Sequence, residues 1–109
     1  MIIAIFKKKC GNIISFNIKG HANSVEEGYD LVCCAVSAIS ITIANGITEI
    51  AKVNSSIHME DGFLNLDLEN NSLEHIKKCQ MLMETMVLGL KSIERNYSEY
   101  INVKIEEVE

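Results

Sequence analysis

The chain contains no proline and no low-complexity stretch. Without such a linker, its 109 residues predict one domain over 1–109, long enough to bury a single core without staples. Positive charge is also scarce, because 10 Lys and Arg residues stand against 15 Asp and Glu residues, for a net charge of -5. An acidic chain lacks the broad basic surface that drives nucleic-acid binding, so we expect no direct nucleic-acid partner.

Targeting and membrane-spanning segments are missing as well. The opening MIIAIFKKKC places its lysines after a short apolar run, the reverse of a secretory signal. The most apolar window, Leu31 to Ala44, contains three hydroxyl side chains and falls short of the roughly 20 residues that span a bilayer. We therefore expect a buried helix, no membrane partner and a cytoplasmic location. In that compartment the four cysteines are expected as thiols rather than disulfides.

The cysteines also lack the C-x-x-C spacing that is typical of zinc sites. A site built from His21, Cys33 and Cys34 is unfavourable, since adjacent cysteines rarely chelate one metal ion well. We therefore predict no metal and no other cofactor.

Hydrophobic periodicity predicts the fold. A period of two predicts strands, and apolar residues at steps of three and four predict helices. Turn signals at Gly11-Asn12 and Asp61-Gly62 join strands into hairpins. The strands are predicted at 2–9, 13–19, 57–60, 63–68 and 99–105, and the helices at 31–52 and 73–96. The order ββαββαβ predicts an α+β fold: a two-layer sandwich in which two helices pack on a mostly antiparallel sheet.

Residues that could perform chemistry lie between Gly20 and Ser37. Asp30 is a favourable N-cap, which would place Cys33 in the first helical turn. The unpaired N–H groups and the positive dipole end of a helix stabilise a thiolate there. His21 lies twelve residues upstream and could serve as the base. The alternative is that Cys33 is a small buried helix residue, since cysteine is among the most buried types.

Several neighbours could support such a site. Asp30 could orient His21 instead of only capping the helix. Gly20 would allow a close approach beside His21, and Gly28 would give the loop before the helix a hinge or a positive-φ position. The alternative is that both are ordinary turn glycines. Ser37 lies one turn after Cys33 on the same face, where it could line the site or bond back to the helix backbone. Cys34 is turned by about 100° from Cys33, and we interpret it as a core residue.

This stretch closely resembles the motif of the Prp family, the ribosomal-processing cysteine proteases of bacteria. The motif stands here as Gly20-His21-Ala22, Gly28, and then DLVCCAVS over 30–37. The similarity continues through Asn45-Gly46 and resumes in Gly89-Leu90, Ile93 and the segment 97–100, so it covers nearly the whole chain. Two positions depart from the family pattern: Cys34 replaces a small residue, commonly Ala, and Ser98 stands where the family often has Pro.

The resemblance implies a cysteine endopeptidase with Cys33 as nucleophile and His21 as base. It also implies that residues 22–29 form a lid, that the protein is a homodimer, and that its substrate is the N-terminal extension of large-subunit ribosomal protein twenty-seven. Two alternatives stay open: a thiol redox protein that uses Cys33 and Cys34, and a non-catalytic module associated with the ribosome or with dimerisation.

Overall fold

The computed structural model describes residues 1–20 and 27–109, with residues 27–30 described by their backbone alone. Within these described residues there are five strands and three helices. The strands are β1 (Ile2–Lys9), β2 (Asn12–Lys19), β3 (Ser56–Glu60), β4 (Phe63–Asp67) and β5 (Ile101–Glu107). The helices are α1 (Glu27–Asn45), which continues into a π-helical turn (Gly46–Ile50), α2 (Leu73–Lys78) and α3 (Gln80–Asn96). This confirms the predicted α+β class and the ββαββαβ order, except that the second helix is split.

The strands form one sheet in the order β3-β4-β2-β1-β5. All neighbours are antiparallel except β1 and β5, which are parallel. Cross-strand pairing aligns Phe6 with Phe16, and Phe16 with Leu66, on one face. These three side chains are fully buried, and the helices supply Val36, Met83 and Leu90 to the same core. Because that face holds the core, the sequence's period of two was a reliable guide to the strands.

The turns and helix ends differ from the predictions in detail. The first hairpin turns at Cys10 and Gly11, both with positive φ, because Lys9 pairs with Asn12. A two-residue turn of this kind matches the twist of the strands. Helix α1 begins at Glu27 rather than after Asp30, so the prediction that Asp30 is the N-cap is wrong. Ser72 is the N-cap of α2, where its side chain accepts a hydrogen bond from the N–H of His75 at 3.2 Å.

The second helix is broken at Cys79, next to Gln80, whose side chain forms hydrogen bonds with the backbone of a strand. Its Oε1 accepts from the N–H of Ile13 at 2.7 Å, and its Nε2 donates to the carbonyl groups of Ile13 and Ile76. The amide thereby ties the start of α3 to β2, and Cys79 is fully buried at the junction. A polar residue that replaces a regular helical contact leaves no mark in the hydrophobic pattern, which predicted one continuous helix.

Helix α1 is the most apolar element. By length and composition alone, Leu31–Ile50 is long enough to cross a bilayer, with a mean hydropathy of 1.9. In the folded chain Val32, Val36, Ile43 and Ile47 are buried in the core, whereas only 33% of the apolar window as a whole is buried, so the prediction of a buried helix holds for one face.

Candidate active site

A groove lies between α1 and the β3–β4 hairpin, with a volume of about 460 Å³. Helix α1 lines it with Cys33, Val36, Ser37 and Ile41. The other walls come from the starts and ends of strands and from the hairpin: Ile2, Ile18, Gly20 and Met59–Leu64. The groove is largely apolar, so a thiol in its wall is shielded from bulk water without being sealed off.

The two adjacent cysteines of α1 have different surroundings. Cys33 is half-buried, packs against the core and lines the groove. Cys34 is exposed, so the prediction that it packs in the core is wrong. Successive helix residues are rotated by about 100°, and this rotation carries Cys34 out of the groove. Of this pair, Cys33 is the one that a molecule in the groove would meet.

The helix dipole contributes less at Cys33 than its predicted position implied. Cys33 is the seventh residue of α1, counted from Glu27, and therefore lies in the second turn. The unpaired N–H groups belong to the first four residues, and the dipole effect falls off within the first turn. The helix end therefore stabilises a thiolate at Cys33 less than it would at a first-turn position.

Gly20 is fixed at the groove by close backbone contacts. Its N–H donates to the carbonyl of Gly62 at 3.1 Å, which joins the end of β2 to the hairpin turn. Its φ is +150°, and a Cβ there would lie 2.6 Å from both the Cα of Ile2 and the carbonyl oxygen of Met1. Only glycine fits this position, because the end of β2 lies against the backbone at the start of β1. The predicted close approach beside His21 concerns a residue outside the described part of the chain.

The remaining predicted site residues fall into two groups. His21 and most of the predicted lid (residues 22–26) lie outside the described residues. Gly28 lies within helix α1 rather than in a loop, and Asp30 is also helical in its backbone. Ser37 is exposed and lines the groove. The bond back to the helix that was considered for Ser37 is instead made by Ser40, which donates to the carbonyl of Val36 at 2.6 Å.

The hairpin wall of the groove was not predicted as part of the site. Met59 and Phe63 belong to short strands whose pattern indicated only a hairpin, and the Asp61-Gly62 turn was the one signal of a sharp reversal. Glu60 and Asp61 are the charged residues that line the described groove. The Oε1 atom of Glu60 is hydrogen-bonded to Nε2 of His58 at 2.8 Å. Contacts between elements distant in sequence are invisible to local periodicity.

Burial separates the cysteines chemically as well. Desolvation raises the pKa of the Cys79 thiol above its ordinary value of 9.0, and the nearby charge of Lys78 opposes this only in part. Cys79 is therefore held as the neutral thiol, away from solvent. Its burial therefore disfavours the thiolate that a nucleophile requires.

A half-buried thiol in the wall of an open, peptide-sized groove is the placement that a cysteine hydrolase requires of its nucleophile. The model of the family described as "Cysteine protease Prp" matches residues 1–102. The chain belongs to this Prp family and is a cysteine peptidase. A Bacillus subtilis relative, named ribosomal processing cysteine protease Prp, is 33% identical over 94 residues, which are 84% of each chain.

Solved structures agree with this assignment. A protein from Streptococcus mutans has a TM-score of 0.89 at 33% identity, covering 99% of this chain and 96% of its own. The Prp protease of Staphylococcus aureus, in complex with a covalently linked product peptide, has a TM-score of 0.81 at 26% identity, covering 97% of this chain and 100% of its own. Both likenesses extend over nearly the whole fold. They favour a protease over the thiol redox protein and over the non-catalytic module.

Proposed function

We propose that the protein is an endopeptidase that removes the N-terminal extension of large-subunit ribosomal protein twenty-seven during ribosome assembly. The observation that carries this proposal is the position of Cys33, half-buried in the wall of the groove between α1 and the β3–β4 hairpin. Relatives of this chain are named ribosomal processing proteases, and one solved relative holds a covalently linked product peptide. An extended peptide segment is the substrate shape that such an open groove suits.

In the proposed reaction, the Cys33 thiolate attacks the scissile carbonyl carbon and forms a tetrahedral intermediate. His21, as the imidazolium, protonates the leaving amine when the C–N bond breaks, which leaves a thioester on Cys33. The neutral imidazole then takes a proton from water, hydroxide attacks the thioester, and the thiolate returns. Gly20 supports His21 because it fixes the point at which the preceding chain leaves β2.

Ser37 borders the same groove one turn from Cys33, and we assign it a role in lining the peptide site. Asp30 and Gly28 contribute through the first turn of α1, which leads into the Cys33 segment. Residues 22–26, the part of the predicted lid that precedes α1, are proposed to cover the bound peptide, since residues 27–29 belong to the helix. No metal or cofactor takes part in this reaction scheme.

We further propose that the protein is a homodimer in the cytoplasm. The outer surfaces of α1 and α3 expose the large apolar side chains Leu31 and Leu88, at 61% and 66% of their full accessibility. Apolar side chains of this size on helix surfaces favour contact with a partner. Sedimentation equilibrium of the purified protein would test the assembly state, and a monomer at all concentrations would exclude the dimer.

The decisive experiment incubates the purified protein with a peptide that spans the extension and follows cleavage by mass spectrometry. Cys33→Ala is expected to abolish cleavage, with a loss of about a thousandfold or more, because no other group replaces the nucleophile. Cys34→Ala is the matched control and should retain nearly full activity, since its side chain is exposed outside the groove. An inactive Cys34→Ala variant beside an active Cys33→Ala variant would contradict the assignment of the nucleophile.

A further inference from the structure

Two large apolar side chains at the mouth of the groove are exposed. Ile41 of α1 is 41% exposed and Met59 of β3 is 62% exposed, and both line the groove that contains Cys33. They belong to opposite walls, one helical and one from the hairpin. Exposed apolar area costs about 25 cal/mol per Å² relative to its burial, so both side chains gain from an apolar occupant.

The exposure of Met59 follows from the topology. β3 is the edge strand, and Met59 pairs with Leu64 of β4, which places it on the core face of the sheet. The core covers Leu64 to 8% exposure but does not extend over Met59. The apolar floor of the groove thus continues past the edge of the core and ends in a methionine, a side chain that adapts readily to different partners.

The position of Ile41 gives the distance from the thiol. It lies eight residues after Cys33 on α1, which at 1.5 Å per residue is about 12 Å along the helix. An extended peptide advances about 3.3 Å per residue, so 12 Å corresponds to roughly three to four residues. The groove follows the helix between these two points, since Val36 and Ser37 line it in the interval.

We propose that Ile41 and Met59 form a specificity subsite that accepts a large apolar side chain of the peptide, three to four residues from the scissile bond. This inference rests on the proposed peptidase function, and it adds which residues select the substrate and where. Leucine, methionine or phenylalanine side chains fit between two such walls. A lysine at the same peptide position is disfavoured, because its charge would lose water against the apolar side chains of Ile41 and Met59, a cost that the carboxylates of Glu60 and Asp61 elsewhere in the groove offset only in part.

The experiment measures binding and cleavage separately. In the Cys33→Ala background, fluorescence anisotropy gives the Kd of labelled extension peptides that carry Leu, Ala or Lys at each position within five residues of the scissile bond. Met59→Glu and Ile41→Ala are then introduced, and kcat/KM is measured for the same peptides with Cys33 restored. Both substituted residues are exposed, so the variants are expected to fold, which circular dichroism would verify.

At one position three or four residues from the scissile bond, Leu should bind about tenfold to a hundredfold more tightly than Lys. Met59→Glu should weaken binding of the Leu peptide by at least about tenfold and should narrow or reverse the preference for the Leu peptide over the Lys peptide. Ile41→Ala should weaken binding of the Leu peptide alone. Met81→Glu is the matched control, because Met81 is 82% exposed on α3 and does not line the groove. It should leave the preference unchanged.

The outcomes separate the subsite from the peptidase function. If peptides bind with the expected dependence on Met59 but are not cleaved with Cys33 present, the subsite stands and the peptidase function falls. If wild type cleaves the extension but Met59→Glu and Ile41→Ala keep its side-chain preference, the subsite is overturned and the function stands. If no peptide binds or is cleaved, both are overturned.

Discussion

The two halves of the chain each place a cysteine near the start of a helix that follows a hairpin, yet the two thiols have opposite surroundings. After β1–β2, Cys33 lies in the second turn of α1 and lines an open groove. After β3–β4, Cys79 lies at the junction of α2 and α3 and is fully buried. The same local order of elements thus gives one thiol that a substrate can reach and one that only packs.

The difference arises from what covers each helix start. The α2–α3 junction is held against the central strand β2 by two hydrogen bonds between the side chain of Gln80 and the backbone of Ile13, and Cys79 is fully buried there. The stretch of α1 from Cys33 to Ile41 instead faces the β3–β4 hairpin at the edge of the sheet, which leaves a gap of about 460 Å³. The position of each helix relative to the sheet therefore decides which thiol can react.

The largest effects are expected from replacing each of the two cysteines, Cys33 and Cys79, in turn. Cys33→Ala should remove peptide cleavage while changing the free energy of unfolding little, because its side chain is only half-buried. Cys79→Ala should retain cleavage and lower the free energy of unfolding by about 1–2 kcal/mol, because it leaves a small cavity in the core. Urea denaturation and a cleavage assay on both variants test the pair. Loss of activity in Cys79→Ala, with the fold intact, would contradict the contrast.

The next effect concerns the backbone at Gly20, beside the groove that contains Cys33. Gly20→Ala should destabilise the fold by about 2–4 kcal/mol, since its Cβ would overlap the backbone of Met1 and Ile2 and the residue must keep a φ of +150°. Cleavage should fall further than stability alone explains, because the segment that carries His21 starts there. The measurements are urea denaturation and kcat/KM at a temperature where the variant is fully folded.

Gly11→Ala is the matched control for this substitution. Gly11 also has a positive φ, +81°, but its Cβ would meet nothing within 4 Å. We expect a cost of about 1 kcal/mol from the backbone conformation alone and unchanged cleavage by the folded protein. Equal costs at the two glycines would mean that the contact between Gly20 and the first strand is not what constrains that position.

The sequence predicted the surroundings of Cys33 in part and the surroundings of Cys79 hardly at all. Cys33, Gly20 and Ser37 were recognisable because the chemistry of a thiol site and the family motif both favour them within a short stretch. The wall formed by Met59 and Phe63, and the Gln80 bonds to β2, join segments that are far apart in the chain. Local patterns cannot report such contacts, because they depend on how the elements pack.

The start of α1 shows a second limit. Asp30 is a good capping residue by type, and the helix nevertheless begins at Glu27. N-cap preferences are worth about 1 kcal/mol, which tertiary packing easily overrides. The strand predictions succeeded because the alternation of Ile14, Phe16 and Ile18 reflects a buried face of the sheet, a much larger contribution to stability.

The smallest effect is a pH dependence of the free energy of unfolding that arises at the buried Cys79. Burial raises the pKa of Cys79 in the folded protein above its ordinary value of 9.0, so the unfolded chain loses this proton first as the pH rises. The folded state then binds more protons than the unfolded state, and stability falls with increasing pH. The contribution is fully present below about pH 9 and is lost as the pH rises through the pKa of the folded state, by up to about 1.4 kcal/mol per pH unit.

Other groups titrate in the same range, so the test compares wild type with Cys79→Ala by urea denaturation from about pH 8 to pH 10.5. Wild type should lose its stability advantage progressively above about pH 9, whereas the variant lacks this component. Alkylation by iodoacetamide should show the same division, with Cys34 modified quickly in the folded protein and Cys79 only on unfolding. If the free energies of unfolding of the two proteins changed in parallel with pH, or if Cys79 were alkylated rapidly in the native state, the surroundings of Cys79 would open to solvent far more than their packing implies.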